Sequence, residues 1–552
     1  MRSYRKSLYV VCATKMPNIC KMLIYCFIKK IIKLHYNREE NYLNQLTFYA
    51  YYLYNKCMAT KMELYPEDRE FFGKVSEAAF SNPFGEDRSI LVGEIAGPVN
   101  INLQSTLVEK AVEKIADRLK KLTAEGKADI HLYGEEDKDL VRIAFLFNEF
   151  YKRVRDFDEL IQKQIKTGDT PCQVHFAEGT ISSLVKGGFT NEEALRFFAF
   201  FYQLRRAYYF INNGLIGKSS SMRTLRMHLW NNIFTHNVRW YESYLWNRME
   251  DFSTLLLGET GTGKGAAAAA IGRSGFIPFD PKRNCFVESF MRNFISLNLS
   301  QYHEALIESE LFGHKKGAFT GAIENHDGIF SRCTPHGSIF LDEIGDISIP
   351  IQIKLLQVLQ GRTFSPVGSH DRVRFNGRVI AATNRSLPEL RRQEKFRDDF
   401  FYRLCSDIII VPPLRQRIQE NPEELDILLT NLMERMTGHS QNKMIDMVRS
   451  AIIRDLGNHY HWPGNVRELE QAVRRILISR NYQEASKTAT PDVREKLMAA
   501  IDTGTLDVNS LVQTYCYLLY KRFNTYEEVA RRTGFDRRTV KKYIQRETQN
   551  EE

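Results

Sequence analysis

Ser253-Thr254-Leu255-Leu256-Leu257-Gly258-Glu259-Thr260-Gly261-Thr262-Gly263-Lys264-Gly265 passes from an apolar run into a glycine loop, and Ala266 to Ala270 follow directly. Leu255-Leu256-Leu257 suits a parallel strand buried on both faces. The alanines behind the loop are strong helix formers. Strand, glycine loop, helix is the order a phosphate cradle needs. The glycines let successive backbone N–H groups turn inward, the helix N-terminus adds positive potential, and Lys264 neutralises β- and γ-phosphate charge. Gly265 replaces the Ser or Thr that usually follows the lysine and ligates Mg²⁺. Alone, the loop is open to a second reading as a chance glycine turn.

Further along, Gly337-Ser338-Ile339-Phe340-Leu341-Asp342-Glu343 is an apolar strand that ends in two adjacent carboxylates. A metal ion needs a hard oxygen ligand and hydrolysis needs a base for water, tasks that suit Asp342 and Glu343 respectively. Arg378-Val379-Ile380-Ala381-Ala382-Thr383-Asn384 is a third strand, ending in a polar pair able to sense a γ-phosphate. Phe396-Arg397-Asp398-Asp399-Phe400-Phe401-Tyr402-Arg403-Leu404 and Trp462-Pro463-Gly464-Asn465-Val466-Arg467-Glu468-Leu469 present arginines suited to transferring phosphate charge.

Between the two phosphate-site elements lies Glu310-Leu311-Phe312-Gly313-His314-Lys315-Lys316-Gly317-Ala318-Phe319-Thr320-Gly321-Ala322. With this loop the chain resembles the sigma-54-dependent transcriptional activators, bacterial enhancer-binding proteins of the AAA+ ATPase class. The resemblance covers about residues 215–475 and resumes in the tail. It implies ATP and Mg²⁺ as cofactors, with Gly258 to Gly265 and Lys264 on the phosphates and Asp342 on the metal. Glu343 becomes the water-activating carboxylate and Asn298 the polar switch that restrains it. Thr383 and Asn384 fall at sensor I, Arg397 and Arg403 at the trans-acting arginines, and Arg467 at sensor II. Gly317, Ala318, Phe319, Thr320, Gly321 and Ala322 become the contact with the sigma factor. The implied assembly is a homo-oligomer, a hexameric ring with nucleotide between neighbours. Gly265 is unusual for such a family, many members having Glu there, and the segments 223–252 and 271–294 look longer than typical.

The last fifty residues read as a DNA-binding module. Thr525-Tyr526-Glu527-Glu528 has the form of a capping box, Gly534-Phe535 makes a turn, and Asp536 caps a second helix. Val540 and Ile544 face inward, leaving Arg537, Arg538, Thr539, Lys541, Lys542 and Gln545 for solvent or a major groove. This resembles the Fis-type helix-turn-helix of the same family and implies enhancer DNA as a partner.

The rest of the chain bounds this reading. Its 552 residues exceed one core, and 43% hydrophobic content fits a globular chain. Nine Cys without a CxxC pair fit a reduced cytoplasm, and no membrane association is expected. Residues 1–61 contain 11 Lys/Arg, 2 Asp/Glu and no Gly, the first glycine being Gly73. Three readings fit this extension: a basic surface-binding arm, an ordered helical extension, or a segment absent from the mature protein, with initiation near Met58 or Met62. The expected fold is multidomain α/β. A mostly helical regulatory domain at 62–213 precedes an AAA+ parallel-sheet core at 214–412. A helical lid at 413–480, a polar linker at 481–505 and a helix-turn-helix at 506–552 complete it. Helical periodicity marks Leu107 to Leu122, Leu140 to Phe150 and Leu195 to Leu204. Short strands are expected at Ser89-Ile90-Leu91-Val92 and Gln173-Val174-His175-Phe176. Two function classes follow: a DNA-bound ATPase that opens the sigma-54 polymerase complex, or an AAA+ remodeller of another protein. A non-catalytic nucleotide-dependent scaffold is a third, raised by Gly265 alone.

Overall fold

The computed structural model describes residues 61–98, 104–439, 442–457, 460–479 and 506–551, together with 497, 498, 500, 501 and 504. The readings of residues 1–60 and of most of the 481–505 linker lie outside the described residues. The chain forms two compact units, one running to residue 449 and taking in 460–474, the other taking in 450–457 and the described residues from 475 onward. The lid expected over 413–480 is divided between them.

Five parallel strands organise the first unit: β1 (Thr254–Leu257), β2 (Phe294–Asn298), β3 (Ser338–Asp342), β4 (Arg378–Thr383) and β5 (Asp407–Ile410). Their order is β2-β3-β4-β1-β5. Parallel pairing sets Leu257 beside Thr383 and Asn298 beside Asp342, so the loops leaving these strands converge at one sheet edge. Successive strand residues point to opposite faces, and both faces are covered. Leu256, Phe340, Ile380 and Ala382 join one buried cluster, whereas Leu255, Ile339, Leu341 and Ala381 join the other.

The first cluster continues into the helices that precede the sheet. Pro66–Phe80, Glu86–Ala96, Gln104–Ala124, Glu135–Lys152, Val154–Thr167, Ala177–Lys186, Asn191–Gly214 and Ser220–Phe234 are all helical. The three helices expected from periodicity are present. The strand expected at Ser89–Val92 is not: those residues lie inside Glu86–Ala96. Glu86 and Asp87 favour the positive end of that helix, Gly97 at φ 69 ends it, and Val92, Ile95 and Ala96 supply its buried side. Four apolar residues could not distinguish the two periods. Gln173 makes only one bridge, to Cys285, before the helix at Ala177 begins.

The long insertion at 271–294 folds into a two-stranded ladder, Phe279–Asp280 against Cys285–Phe286. It grips the helix Asn191–Gly214, with Phe198 edge-on to Phe279 at 4.9 Å and Tyr202 stacked on Phe286 at 4.0 Å. Residue 214, the expected domain boundary, therefore falls within one continuous core.

In the second unit, Val508–Phe523, Tyr526–Thr533 and Arg537–Glu551 are helices around Cys516, Tyr517, Val529, Val540 and Ile544. Among the described residues, no helix is long and apolar enough to cross a membrane.

Candidate nucleotide site and surface loop

The glycine loop leaves β1 and ends at Lys264, the first residue of the helix Lys264–Gly272. Gly261 and Gly263 take left-handed conformations at φ 81 and 108. At Gly261 a β-carbon would stand 2.2 Å from the Gly464 carbonyl oxygen, so side-chain loss here is a packing requirement. Gly265 is different: its β-carbon would meet nothing within 4 Å. Crowding does not explain the missing Ser or Thr.

Lys264 is 7% exposed, and its Nζ donates to the carbonyls of Gly258 at 2.8 Å and Glu259 at 3.1 Å. Burial lowers its pKa, while the nearby Glu343 and Asp342 carboxylates raise it and Arg467 lowers it. The lysine thus shares one electrostatic neighbourhood with three residues from distant parts of the sequence. Glu343 adopts a left-handed backbone at φ 58, a conformation that costs a non-glycine residue about 1–2 kcal/mol. Its Oε2 accepts from the Asn384 backbone N–H at 3.3 Å, and the Asn384 side chain donates to Thr260 Oγ1 at 2.8 Å. Asn384 therefore ties the carboxylate strand to the glycine loop.

Thr383 plays another part: it is buried, and its hydroxyl accepts from the Arg385 backbone at 3.1 Å. Asn298, beside Asp342 in the sheet, accepts from the Ser300 N–H and hydroxyl at 3.0 and 2.8 Å. No hydrogen bond joins Asn298 to Glu343 among the described residues, so the expected restraint is not formed here. The short Asx-type turn at Ser300 has captured its side chain.

A latch that sequence reading missed closes over the loop. Asn465, at φ 53, donates to Glu259 Oε2 and to the Thr260 carbonyl, both at 3.1 Å, and accepts from the Leu414 N–H at 2.8 Å. The Val466 N–H donates to the Gly261 carbonyl at 3.1 Å. Arg415 grips the Glu259 carboxylate with two bonds of 2.8 and 2.5 Å, which holds that carboxyl below its ordinary pKa. Beneath it, the buried Arg417 donates to Glu424 Oε1 at 2.8 Å, and Glu424 Oε2 accepts from the Lys218 N–H at 2.7 Å. Gly217 belongs there because a β-carbon would collide with Glu424. The Pro463-Gly464-Asn465 turn is the available signal in the sequence, with the exposed Arg467 two residues beyond Asn465.

The segment 317–322 stands on a narrow neck. His314 and His326 exchange backbone hydrogen bonds, each 2.9 Å long, and Lys315 N–H donates to the Val367 carbonyl at 3.0 Å. Inside the loop, Gly317 N–H donates to the Ala322 carbonyl at 2.8 Å, with Gly317 and Gly321 at φ 82 and 102. Phe319 is 40% exposed and lies edge-on to His314 at 4.9 Å. Gly368, on the neighbouring hairpin, faces Ala318 so closely that a β-carbon would come within 2.7 Å of its methyl.

Residues 240–409 match the family model of the sigma-54 interaction domain, and residues 419–501 that of the AAA+ ATPase lid domain. The chain carries a sigma-54 interaction domain and an AAA+ lid. The Nif-specific regulatory protein of Azotobacter vinelandii is 44% identical over 226 residues, 41% of this chain and 40% of that protein. Regulatory protein AtoC of Escherichia coli (strain K12) is 36% identical over 257 residues, 46% of this chain and 52% of that protein. The chain thus spans about half or less of the length of these two relatives. A solved structure of NtrX from Brucella abortus in complex with ATP is similar at 20% identity and a TM-score of 0.36, over 68% of this chain and 81% of that one.

The AAA+ ATPase core of this sigma-54 interaction domain has a donor set that fits Mg²⁺, which binds through one or two carboxylates plus phosphate oxygens and water. Asp342, at the end of β3, is the carboxylate that would hold it. Arg397 is half-exposed and paired with Asp399 at 2.7 Å. Arg403 donates twice to the Leu359 carbonyl, at 2.9 and 2.7 Å, capping the helix Ile349–Gly361. No hydrogen bond or ion pair joins either arginine to the phosphate loop among the described residues.

In the second unit Gly534, at φ 73, makes the turn, and Asp536 accepts from the Arg538 and Thr539 backbone at 2.9 and 3.0 Å. The Thr539 hydroxyl is also bonded to Asp536, at 2.5 Å, so that residue serves the cap. Arg538, Lys541, Lys542 and Gln545 are exposed, while Arg537 pairs with Glu527 at 2.9 Å. The expected capping box is not formed. Thr525 makes no side-chain cap, and Glu528 instead takes Arg531 and Arg532, which push its carboxyl down to about 2. Charge-assisted bonds to two guanidiniums outcompete one backbone N–H.

Proposed function

We propose that this chain is a cytoplasmic, ATP-dependent bacterial transcription activator that binds enhancer DNA and remodels the sigma-54 polymerase closed complex into an open one. The observation that carries this reading is the neck-mounted loop at 317–322, with Phe319 exposed at its tip, in a chain that also carries the glycine loop with Lys264. Lys264 and the loop N–H groups hold the ATP phosphates. Asp342 holds Mg²⁺, which when bound neutralises charge on the β- and γ-phosphate oxygens. Glu343 orients and deprotonates the attacking water, and Asn384 registers the γ-phosphate through its bridge from Glu343 to Thr260. Arg467 reads the nucleotide from the lid.

Arg397, with only a surface carboxylate as partner, is free to act on the nucleotide of a neighbouring subunit in a hexameric ring. Arg403 would have to leave Leu359 to do the same, so Arg397 carries the larger share. The exposed basic face of the helix Arg537–Glu551 suits a major groove. The test is open-complex formation at a sigma-54 promoter with purified polymerase, with and without ATP. Opening that needs ATP and falls when residues from 507 onward are removed supports the reading. ATP hydrolysis without opening would favour an AAA+ remodeller of another protein.

A further inference from the structure

Away from the nucleotide site, the helices Glu86–Ala96, Glu135–Lys152, Asn191–Gly214 and Ser220–Phe234 line a half-open cavity of about 900 Å³. Sites that enclose small organic molecules run from roughly 300 to 1,000 Å³. Its walls are largely aromatic, with Phe84, Phe150, Phe201, Tyr208 and Trp230 among them. Six arginines and one lysine line it against three glutamates. Some of that charge is spent within the protein: Arg205 is paired with Asp158, and Arg223 with Glu86. Arg142 has no hydrogen bond or ion pair among the described residues and lies over the Phe197 ring at 4.9 Å.

Other lining arginines are occupied on the protein side. Arg226 donates to the carbonyls of Leu215 and Gly217, and Arg88 to those of Ala78 and Ser81 and to the Tyr151 hydroxyl. Arg142 is the partly buried lining guanidinium left for a guest, and a charge held away from water favours a partner of opposite sign. Apolar walls and an unspent cation describe one kind of guest.

We propose that this cavity binds a small organic monoanion with a bulky apolar body, a carboxylate that pairs with the Arg142 guanidinium. The helix Asn191–Gly214, which walls the cavity, also bonds to the segment that follows the phosphate-loop helix. Its Arg206 donates to the carbonyls of Arg273 and Gly275, each at 2.6 Å, and its Gln203 to that of Ser274 at 2.9 Å. These carbonyls directly follow the helix that begins at Lys264.

The test uses the full chain, titrated by fluorescence with 1-pyrenebutyrate and with the neutral 1-pyrenebutanol. Saturable binding of about one pyrenebutyrate per chain is expected, with the alcohol about tenfold weaker, the equivalent of roughly 1.4 kcal/mol. Arg142→Gln retains polarity and loses charge, so it should weaken the acid about tenfold and leave the alcohol unchanged. A purely structural role for this side chain would move both ligands together. Absence of saturable binding, equal affinity for acid and alcohol, or full acid affinity in Arg142→Gln would overturn the proposal.

Discussion

The loops at 258–263 and 317–322 are both rich in glycine, and they are held in opposite ways. The first is clasped: Asn384 just past β4, Asn465 and Val466 from the lid, and Arg415 through Glu259 all bond to it. The second is fastened at its neck by His314, His326 and Val367, while its tip bears a half-exposed phenylalanine. A phosphate cradle gains from being preorganised, since donors already in place need no rearrangement when charge arrives. A loop that must meet a partner in one nucleotide state and leave it in another gains from freedom at its tip. Glycine serves both ends. At Gly261 it admits the lid backbone, and at Gly317 and Gly321 it permits left-handed turns in open space.

The contrast can be broken most severely at the clasped loop. Lys264→Ala should remove measurable ATP binding in a calorimetric titration while the fold remains, because the lysine bonds only to carbonyls of its own loop. Glu343→Gln should bind ATP and lose about 10²–10⁴-fold in turnover, the range for removing a general base. Near-normal hydrolysis by that variant would remove Glu343 from the chemistry.

A smaller effect should come from the latch. Asn465→Ala deletes four side-chain hydrogen bonds, to Glu259, Thr260, Leu414 and Pro463, and puts a β-carbon residue without a polar side chain at φ 53. A loss of about 2–3 kcal/mol in unfolding free energy is expected, together with faster ADP release. Unchanged melting and unchanged ADP release would mean that the clasp is incidental.

Acid should act on the same clasp. Arg415 lowers the Glu259 pKa from its ordinary 4.5, so the folded state holds the carboxylate more strongly than the unfolded state does. That contribution is complete above pH 4.5 and fades as pH falls through the lowered value. Glu259→Gln should therefore lose part of the wild type's acid dependence below pH 4.5 and match its pH profile above it, as read by thermal melting across pH.

The smallest expected change is at Gly265. With free space at its β-carbon and a helical backbone, Gly265→Ala should stabilise by about 0.5–1 kcal/mol. Destabilisation would show that this glycine serves a requirement invisible in the packing.

Much of the nucleotide site was legible because its signals are local and chemical: an apolar run, then glycines, then a lysine, and two carboxylates at a strand end. The five-strand sheet followed for the same reason, since strands buried on both faces read as continuous apolar runs. Ser89 to Val92 was misread because so short an apolar run carries no period. The lid latch was not legible because Asn465 meets Glu259 across 206 residues, and neither residue type announces its partner. Asn298 and the Thr525 segment make hydrogen bonds other than the expected ones, for a shared reason. Each has a hydrogen-bonding role that the local pattern permits, and each lost it to nearby competition: Asn298 to Ser300, and the Thr525 box to Arg531 and Arg532. The packing of the N-terminal helices against the insertion at 271–294 likewise depends on long-range aromatic contacts that no periodicity encodes.

The most direct test of this division between a clasped chemical loop and a free working loop is Thr320→Ala. Thr320 sits at the exposed tip beside Phe319 and takes no part in the bonds that shape the phosphate site. ATP hydrolysis and open-complex formation should be measured on one preparation, at saturating ATP, with purified polymerase carrying sigma-54. The expected result is hydrolysis near the wild-type rate with open-complex formation lost. Full promoter opening by Thr320→Ala, or a parallel fall in both activities, would contradict it.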